Sequence, residues 1–212
     1  MDSGAAVDYG LPEVDFAEVL AKAPDLESLG TIAGGCARCR LRDGCRGVVF
    51  GEGNRHAHLV LIGEAPGATE DELGRPFVGK AGELLDRILE AAGLDRGEVY
   101  ISNVVLCRPP GNRPPQPDEM ALCRPYLRRR LELIRPEIVV ALGATATAAL
   151  LRPGARITQE RGRFHRVGGW WVMPTFHPAA LLRDPSKKKA VWEDFQMVSA
   201  LVRRLEAAGP SG

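Results

Sequence analysis

The chain has 212 residues, 45% of them hydrophobic and 26% charged, with a formal net charge of +1 at pH 7 and no repeat or low-complexity tract, which suits one soluble domain with a substantial core. No apolar run approaches the ~20 residues of a membrane span, and the acidic start from Met1 to Gly30 lacks the basic-then-apolar order of a secretory signal, so a cytoplasmic protein with no membrane partner is expected. The small net charge conceals two opposite halves: residues 1–102 carry 10 Lys/Arg against 18 Asp/Glu (−8), and residues 103–212 carry 18 against 9 (+9). A basic half is what a polyanion partner needs.

In chain order, residues 1–30 read as a loosely ordered extension with one short helix around Val14 to Lys22, residues 31–208 as one domain, and residues 209–212 as a frayed end. Five cysteines follow the extension: Cys36, Cys39, Cys45, Cys107 and Cys123. Their odd number in a chain without a secretory signal argues against a disulfide framework. Cys36-Ala-Arg-Cys39 is a C-x2-C pair that can aim two thiolates at one centre. One such pair with two later cysteines fits a cubane cluster at least as well as a zinc ribbon, the alternative being buried free thiols.

From His58 onward, short apolar runs alternate with amphipathic stretches. "HLVLIGEA" (58–65), "VYISNVVLC" (99–107), "IVVALGA" (138–144) and "WWVMPTFHP" (170–178) read as buried strands. "GKAGELLDRILEAAG" (79–93) stripes Leu84, Leu85, Ile88 and Leu89 on one helical face and ends at a glycine. A second helix opens at Pro117 and stops at Pro136, and a third spaces Val191, Phe195, Val198, Val202 and Leu205 along a core stripe. The expected fold is a three-layer α/β/α sandwich around a mainly parallel, four-stranded sheet. Ligands of such sheets gather at the carboxyl ends of the strands, so "GEAPG", "SN" with "CRPPGNRPP", "LGATA" and "FHP" should converge.

Several residues in these segments suit chemistry. "GEAPGATEDELGRPFVGKAG" (63–82) lets backbone approach a ligand closely but is no phosphate loop, because Ala81 follows Lys80 where Ser or Thr is required and four carboxylates lie nearby. It suits a neutral planar ligand, with Phe77 as a stacking face and Glu64 as an acid or base. Asn103, at the end of a buried strand, must satisfy both a donor and an acceptor and can read a complementary edge. His177 stands alone between Phe176 and Pro178, ahead of two leucines, Arg183 and the run Lys187, Lys188, Lys189.

Taken together, "GEAPG", "GRPFVGKAG", "NVVLCRPPGNRPPQPDE", "LGATA" and "HPAALLR", in this order, resemble the iron-sulfur uracil-DNA glycosylases known as family 4 of that superfamily. The likeness runs from about Cys36 to Leu205. It implies Cys36, Cys39, Cys107 and Cys123 as ligands of a structural [4Fe-4S] cluster, with Cys45 spare. It implies a pocket for flipped uracil formed by Gly63, Glu64, Ala65, Glu70, Phe77, Asn103 and His177. Asn103 would pair with the O4/N3–H edge, His177 would donate to O2, Glu64 would place the attacking water, and Glu70 would wall off C5.

Leu181 or Leu182 would fill the vacated stack, and Arg183 with Lys187, Lys188 and Lys189 would hold flanking phosphates. The expected partner is uracil-containing DNA, single- or double-stranded, bound by a monomer. The chain departs from the superfamily at Ala65, where better-studied members carry Asp, at Gly67, where they use Tyr, and at Ala179, where the motif usually has Ser. The inserted histidine loop of a subgroup that traps uracil covalently is missing, so turnover is expected. A non-catalytic iron-sulfur damage-binding protein and a redox or nucleotide-binding α/β protein are the rival readings.

Overall fold

The computed structural model describes residues 16–208. In chain order its elements are α1 (Phe16–Ala21), α2 (Leu26–Gly34), β1 (Glu52–Gly53), β2 (Leu59–Gly63), α3 (Ala68–Leu73), α4 (Lys80–Ala91), β3 (Tyr100–Asn103), α5 (Pro117–Ile134), β4 (Ile138–Leu142), α6 (Ala144–Leu150), α7 (Ile157–Glu160), β5 (His165–Val167), β6 (Trp170–Thr175), α8 (Pro178–Arg183) and α9 (Lys188–Ala208).

The strands form one sheet in the order β1-β3-β2-β4-β6-β5. The inner four, β3, β2, β4 and β6, are parallel and are the four apolar runs of the sequence. The sheet has six strands rather than four, because β1 and β5 add antiparallel edges to β3 and β6. Their sequences, Glu-Gly and His-Arg-Val, are too short and polar to carry a buried-strand signal, as an edge strand exposed to water requires.

Alternation along the strands separates two cores. Leu59, Leu61, Ile101, Ile138, Val140 and Met173 face one way and meet Leu85 and Leu89 of α4 and Val191, Phe195, Val198 and Val202 of α9. Val60, Ile62, Tyr100, Val139, Ala141 and Val172 face the other and meet Leu127, Leu131 and Ile134 of α5 and Ala146 of α6. A parallel sheet buried on both faces needs near-continuous apolar strands, and these are. Helix α4 ends as its glycine foretells: Gly93 adopts φ +70°, and the N–H of Leu94 returns to the Leu89 carbonyl.

The amino-terminal segment differs from expectation within the described residues. Leu20, Leu29 and Ala33 of α1 and α2 are buried with Tyr126 of α5, and Phe16 meets the Tyr126 ring edge-on. Residues 16–34 therefore share a core with α5 rather than trailing from it. The expected helix start before Phe16, the rest of the extension and the tail at 209–212 lie outside the described residues.

Candidate functional site

Four inner strands point their carboxyl ends the same way, and the candidate residues stand there. Gly63 ends β2, Asn103 ends β3, Gly143 follows β4, and His177 lies two residues beyond β6. Contacts join them into one wall. A methyl placed on Gly63 would overlap Asn103 Oδ1 and stand 2.6 Å from Phe77 Cζ. The Phe77 and His177 rings lie 5.5 Å apart, tilted by 31°, and a methyl on Gly143 would stand 3.0 Å from His177 Cβ. Glu64, next to Gly63, accepts a hydrogen bond at Oε2 from the Thr145 hydroxyl in the first turn of α6.

Phe77 is 6% exposed and holds φ +52°, a conformation costly for a bulky residue and commonest where a site over-determines it. Two neighbours enforce it. A side chain on Gly82 would collide with the Phe77 carbonyl, so only glycine leaves room there. Glu70 then pins the chain beyond the ring: its Oε1 accepts from the N–H groups of Val78 (3.0 Å) and Gly79 (2.8 Å), and its Oε2 accepts from Gly67 N–H (3.1 Å). The carboxylate assigned by resemblance to the wall beside C5 is thus occupied with three backbone donors that shape the Phe77 loop.

Asn103 is 1% exposed, and its Oδ1 is buried with no hydrogen-bond partner. Buried polar atoms are nearly always paired, so an orphaned acceptor beside the Phe77 ring and the side-chain-free Gly63 marks a place for a ligand donor. His177 is set by its successor. Pro178 restricts it to extended backbone (φ −66°, ψ 138°) at the amino end of α8, where Nδ1 accepts the Ala179 N–H at 3.1 Å. Burial first, then the Arg183 guanidinium, lowers the imidazole to about 4. The neutral ring therefore prevails at pH 7. With Nδ1 accepting, its proton sits on Nε2, a neutral donor.

The segment after His177 divides its residues. Leu181 is 2% exposed and belongs to the core, whereas Leu182 is 48% exposed. Of the two leucines expected as alternative wedges, only Leu182 is free to enter a base stack, because α8 turns Leu181 inward. Arg183, Lys188 and Lys189 are exposed. Lys187 is half-buried, paired with Asp184 at 3.0 Å and seated over the Phe176 ring.

Away from the strand ends, Cys36, Cys39, Cys107 and Cys123 line one cavity with Leu41, Val48, Leu106 and Tyr126. All five cysteines are free thiols. Cys45 is not among the lining residues, but its thiol interacts with that of Cys107, and its Sγ lies 3.6 Å from both Arg42 Nη1 and the Arg42 carbonyl. Among the described residues no three Cys, His, Asp or Glu side chains close to the spacing of a single ion; the thiolates of a cubane stand further apart, with four irons between them. Burial pushes the Cys123 thiol up to about 11 and raises that of Cys107 as well. Such thiols give up their protons only to a strong positive centre, so four sulfurs in an apolar chamber fit a cluster.

Thr145 carries no distinguishing signal in the sequence: "LGATA" reads as a strand end, and nothing in it says which hydroxyl turns toward Glu64.

Comparison with known proteins follows the same outline. The model of the uracil DNA glycosylase superfamily matches residues 50–196. A Type-4 uracil-DNA glycosylase of Thermotoga maritima is 44% identical over 173 residues, 80% of this chain and 90% of that protein. Another of that name, from Pyrobaculum aerophilum, is 39% identical over 181 residues, 82% and 92% of the two chains. A Type-5 uracil-DNA glycosylase of Thermus thermophilus is 34% identical over 150 residues, 61% and 68%.

Proposed function

Because the chain belongs to the uracil DNA glycosylase superfamily, we propose that it extrudes uracil from DNA and hydrolyses the bond between base and sugar, leaving an abasic site. The observation that carries this reading is the orphaned Asn103 Oδ1, buried beside Phe77 and Gly63. Uracil presents a donor at N3 next to an acceptor at O4, and one amide can meet both. A base within a duplex is out of reach, so it must be turned out of the stack to meet that edge.

The chemistry follows from which groups feel developing charge. As the bond to the sugar breaks, the pyrimidine leaves as an anion with charge on O2. His177 Nε2–H serves as its donor. Being neutral it loses no proton at pH 7, and a preorganised donor of this kind lowers a barrier by about 3 kcal/mol. Phe77 stacks on the ring. Glu64, held by Thr145, orients water toward the sugar cation, an electrophile reactive enough that positioning suffices. The groups gathered at the strand ends are carboxylate, amide, imidazole, phenyl and hydroxyl. The reaction is read as hydrolysis that ends at the abasic site, without strand cleavage.

Leu182 enters the vacated stack while Arg183, Lys188 and Lys189 neutralise phosphates. Leu182→Ala should reduce excision from duplex DNA roughly tenfold, in keeping with the few kcal/mol that unstacking costs, and leave single-stranded substrate nearly unchanged. Parallel assays on matched single- and double-stranded oligonucleotides read that ratio. Equal effects on both would remove the wedge role.

The four cavity cysteines would hold a [4Fe-4S] cluster, which supplies a structural tie between the C-x2-C turn and the loop after β3 rather than a reaction step. Cys107→Ala should lose the brown absorption and most of the iron, with a lower Tm. Iron per chain by colorimetry checks this, and an unchanged content would exclude Cys107 as a ligand. The protein is expected to act as a monomer in the cytoplasm. The direct test is alkali-induced scission of a uracil-bearing oligonucleotide after incubation with purified protein; an intact strand would refute the activity.

A further inference from the structure

Arg130 lies in the run Arg128-Arg129-Arg130 of α5, yet it is 1% exposed while Arg128 projects into solvent. No carboxylate pairs with it among the described residues. Its guanidinium instead gathers oxygen acceptors at one end of the sheet. Nη1 donates to the Phe50 carbonyl and to Ser102 Oγ, and Nη2 donates to the Asn103 carbonyl at 3.1 Å. Ser102 Oγ itself donates to Phe50 O at 2.8 Å, closing the network. The residue whose side chain would read uracil is thus held by its main chain from behind.

A buried charge without a counter-ion is costly, and a neutral donor would meet the same carbonyls without that cost. The reason for a charge lies along the helix. Cys123 is two turns earlier on the same face of α5, about 10 Å along the axis. Four thiolates around a [4Fe-4S]2+ core leave a net negative charge in that chamber, which would answer the guanidinium.

We infer that Arg130 is a positioning residue that fixes Asn103 in its base-reading place and links that place to the cysteine chamber. This rests on the role proposed above for Asn103. An amide displaced by a fraction of an ångström loses its alignment with a ligand edge, and a misplacement of about 1 Å can cost 100-fold in rate.

The test is a double-mutant cycle on the iron-loaded protein, read by single-turnover release of uracil. Arg130→Met should slow release about 10- to 100-fold, with affinity for an abasic-analogue duplex nearly unchanged. Arg130→Lys, which keeps the charge but not the fork, should recover part of the rate. In the Asn103→Ala background, Arg130→Met should cost less than about twofold more. Independently of activity, the midpoint potential of the cluster should fall in Arg130→Met and not in Arg130→Lys, since a nearby positive charge is lost in only one of them.

Equal losses in both backgrounds, or an unmoved potential, would overturn the inference. If Arg130→Met does not accumulate as folded protein, Arg130→Lys must by itself show the Asn103-dependent loss. The pocket reading fails separately: unaltered protein would then release no uracil, or Asn103→Ala would be as fast as the unaltered protein, while the potential still reports on Arg130.

Discussion

Replacing His177 with alanine is expected to lower the single-turnover rate of uracil release about 100- to 1,000-fold, the range found when one donor to a developing oxyanion is removed. The expectation rests on a tautomer set by the fold. Ala179 N–H occupies Nδ1, so the proton on Nε2 is the one available to the leaving base. Because burial and then Arg183 hold the imidazole near 4, the neutral donor persists through the pH range in which an ordinary histidine, near 6.5, would titrate. Release by the unaltered protein should therefore show no His177-dependent inflection between pH 8 and 5 and should change only as pH approaches 4.

Stability moves in a defined sense over the same window. Between pH 6.5 and 4 the unfolded chain protonates this histidine while the folded chain does not, so the folded state loses stability as pH falls through that interval. His177→Ala removes that slope along with the activity. A profile in which release falls as pH rises through about 6.5, with that alkaline limb lost in the alanine variant, would show that the protonated ring works, contrary to the mechanism. Near-normal single-turnover rates in His177→Ala would dismiss the donor role outright.

What could be read from the sequence, and what could not, divides along physical lines. The inner strands were legible because a parallel strand covered on both faces has no polar position to interrupt it; "IVVAL" admits few other readings. The edges were not, since Glu52–Gly53 and His165–Val167 owe their pairing to a neighbour rather than to their own composition. The convergence of Phe77, Asn103, His177 and Glu64 followed once the strand ends were placed, since β2, β3, β4 and β6 all deliver their next residue to the same side. The orientation of individual side chains did not follow. Leu181 and Leu182 are adjacent and chemically alike, and only the packing of α8 on α4 and the sheet decides which one is buried. Glu70, assigned by resemblance to a pocket wall, also braces the Phe77 loop, and that role was not legible because backbone N–H groups arriving from residues 78 and 79 are invisible in a pattern of letters. Arg130 belongs to a run of three arginines whose letters do not say which one is buried, and the turn of the helix alone sends it inward.

Asn103→Ala should reduce uracil release about 100-fold and should not lower the Tm. The rate effect comes from losing both contacts to the O4/N3–H edge, worth about 1–3 kcal/mol for a well-formed bidentate pair, with every 1.4 kcal/mol a factor of ten. The stability effect has the opposite sign from most core truncations. Oδ1 is buried without a partner in the ligand-free protein, so the folded state bears the desolvation of an acceptor and receives no hydrogen bond in return. Alanine removes that cost by removing the acceptor itself. A residue kept for its ligand at some expense to its fold is what a binding site predicts and a packing residue does not. Thermal unfolding beside single-turnover assays separates the two: a Tm that drops in step with activity would make Asn103 a structural amide, whereas a steady or higher Tm with lost activity leaves base reading as its purpose.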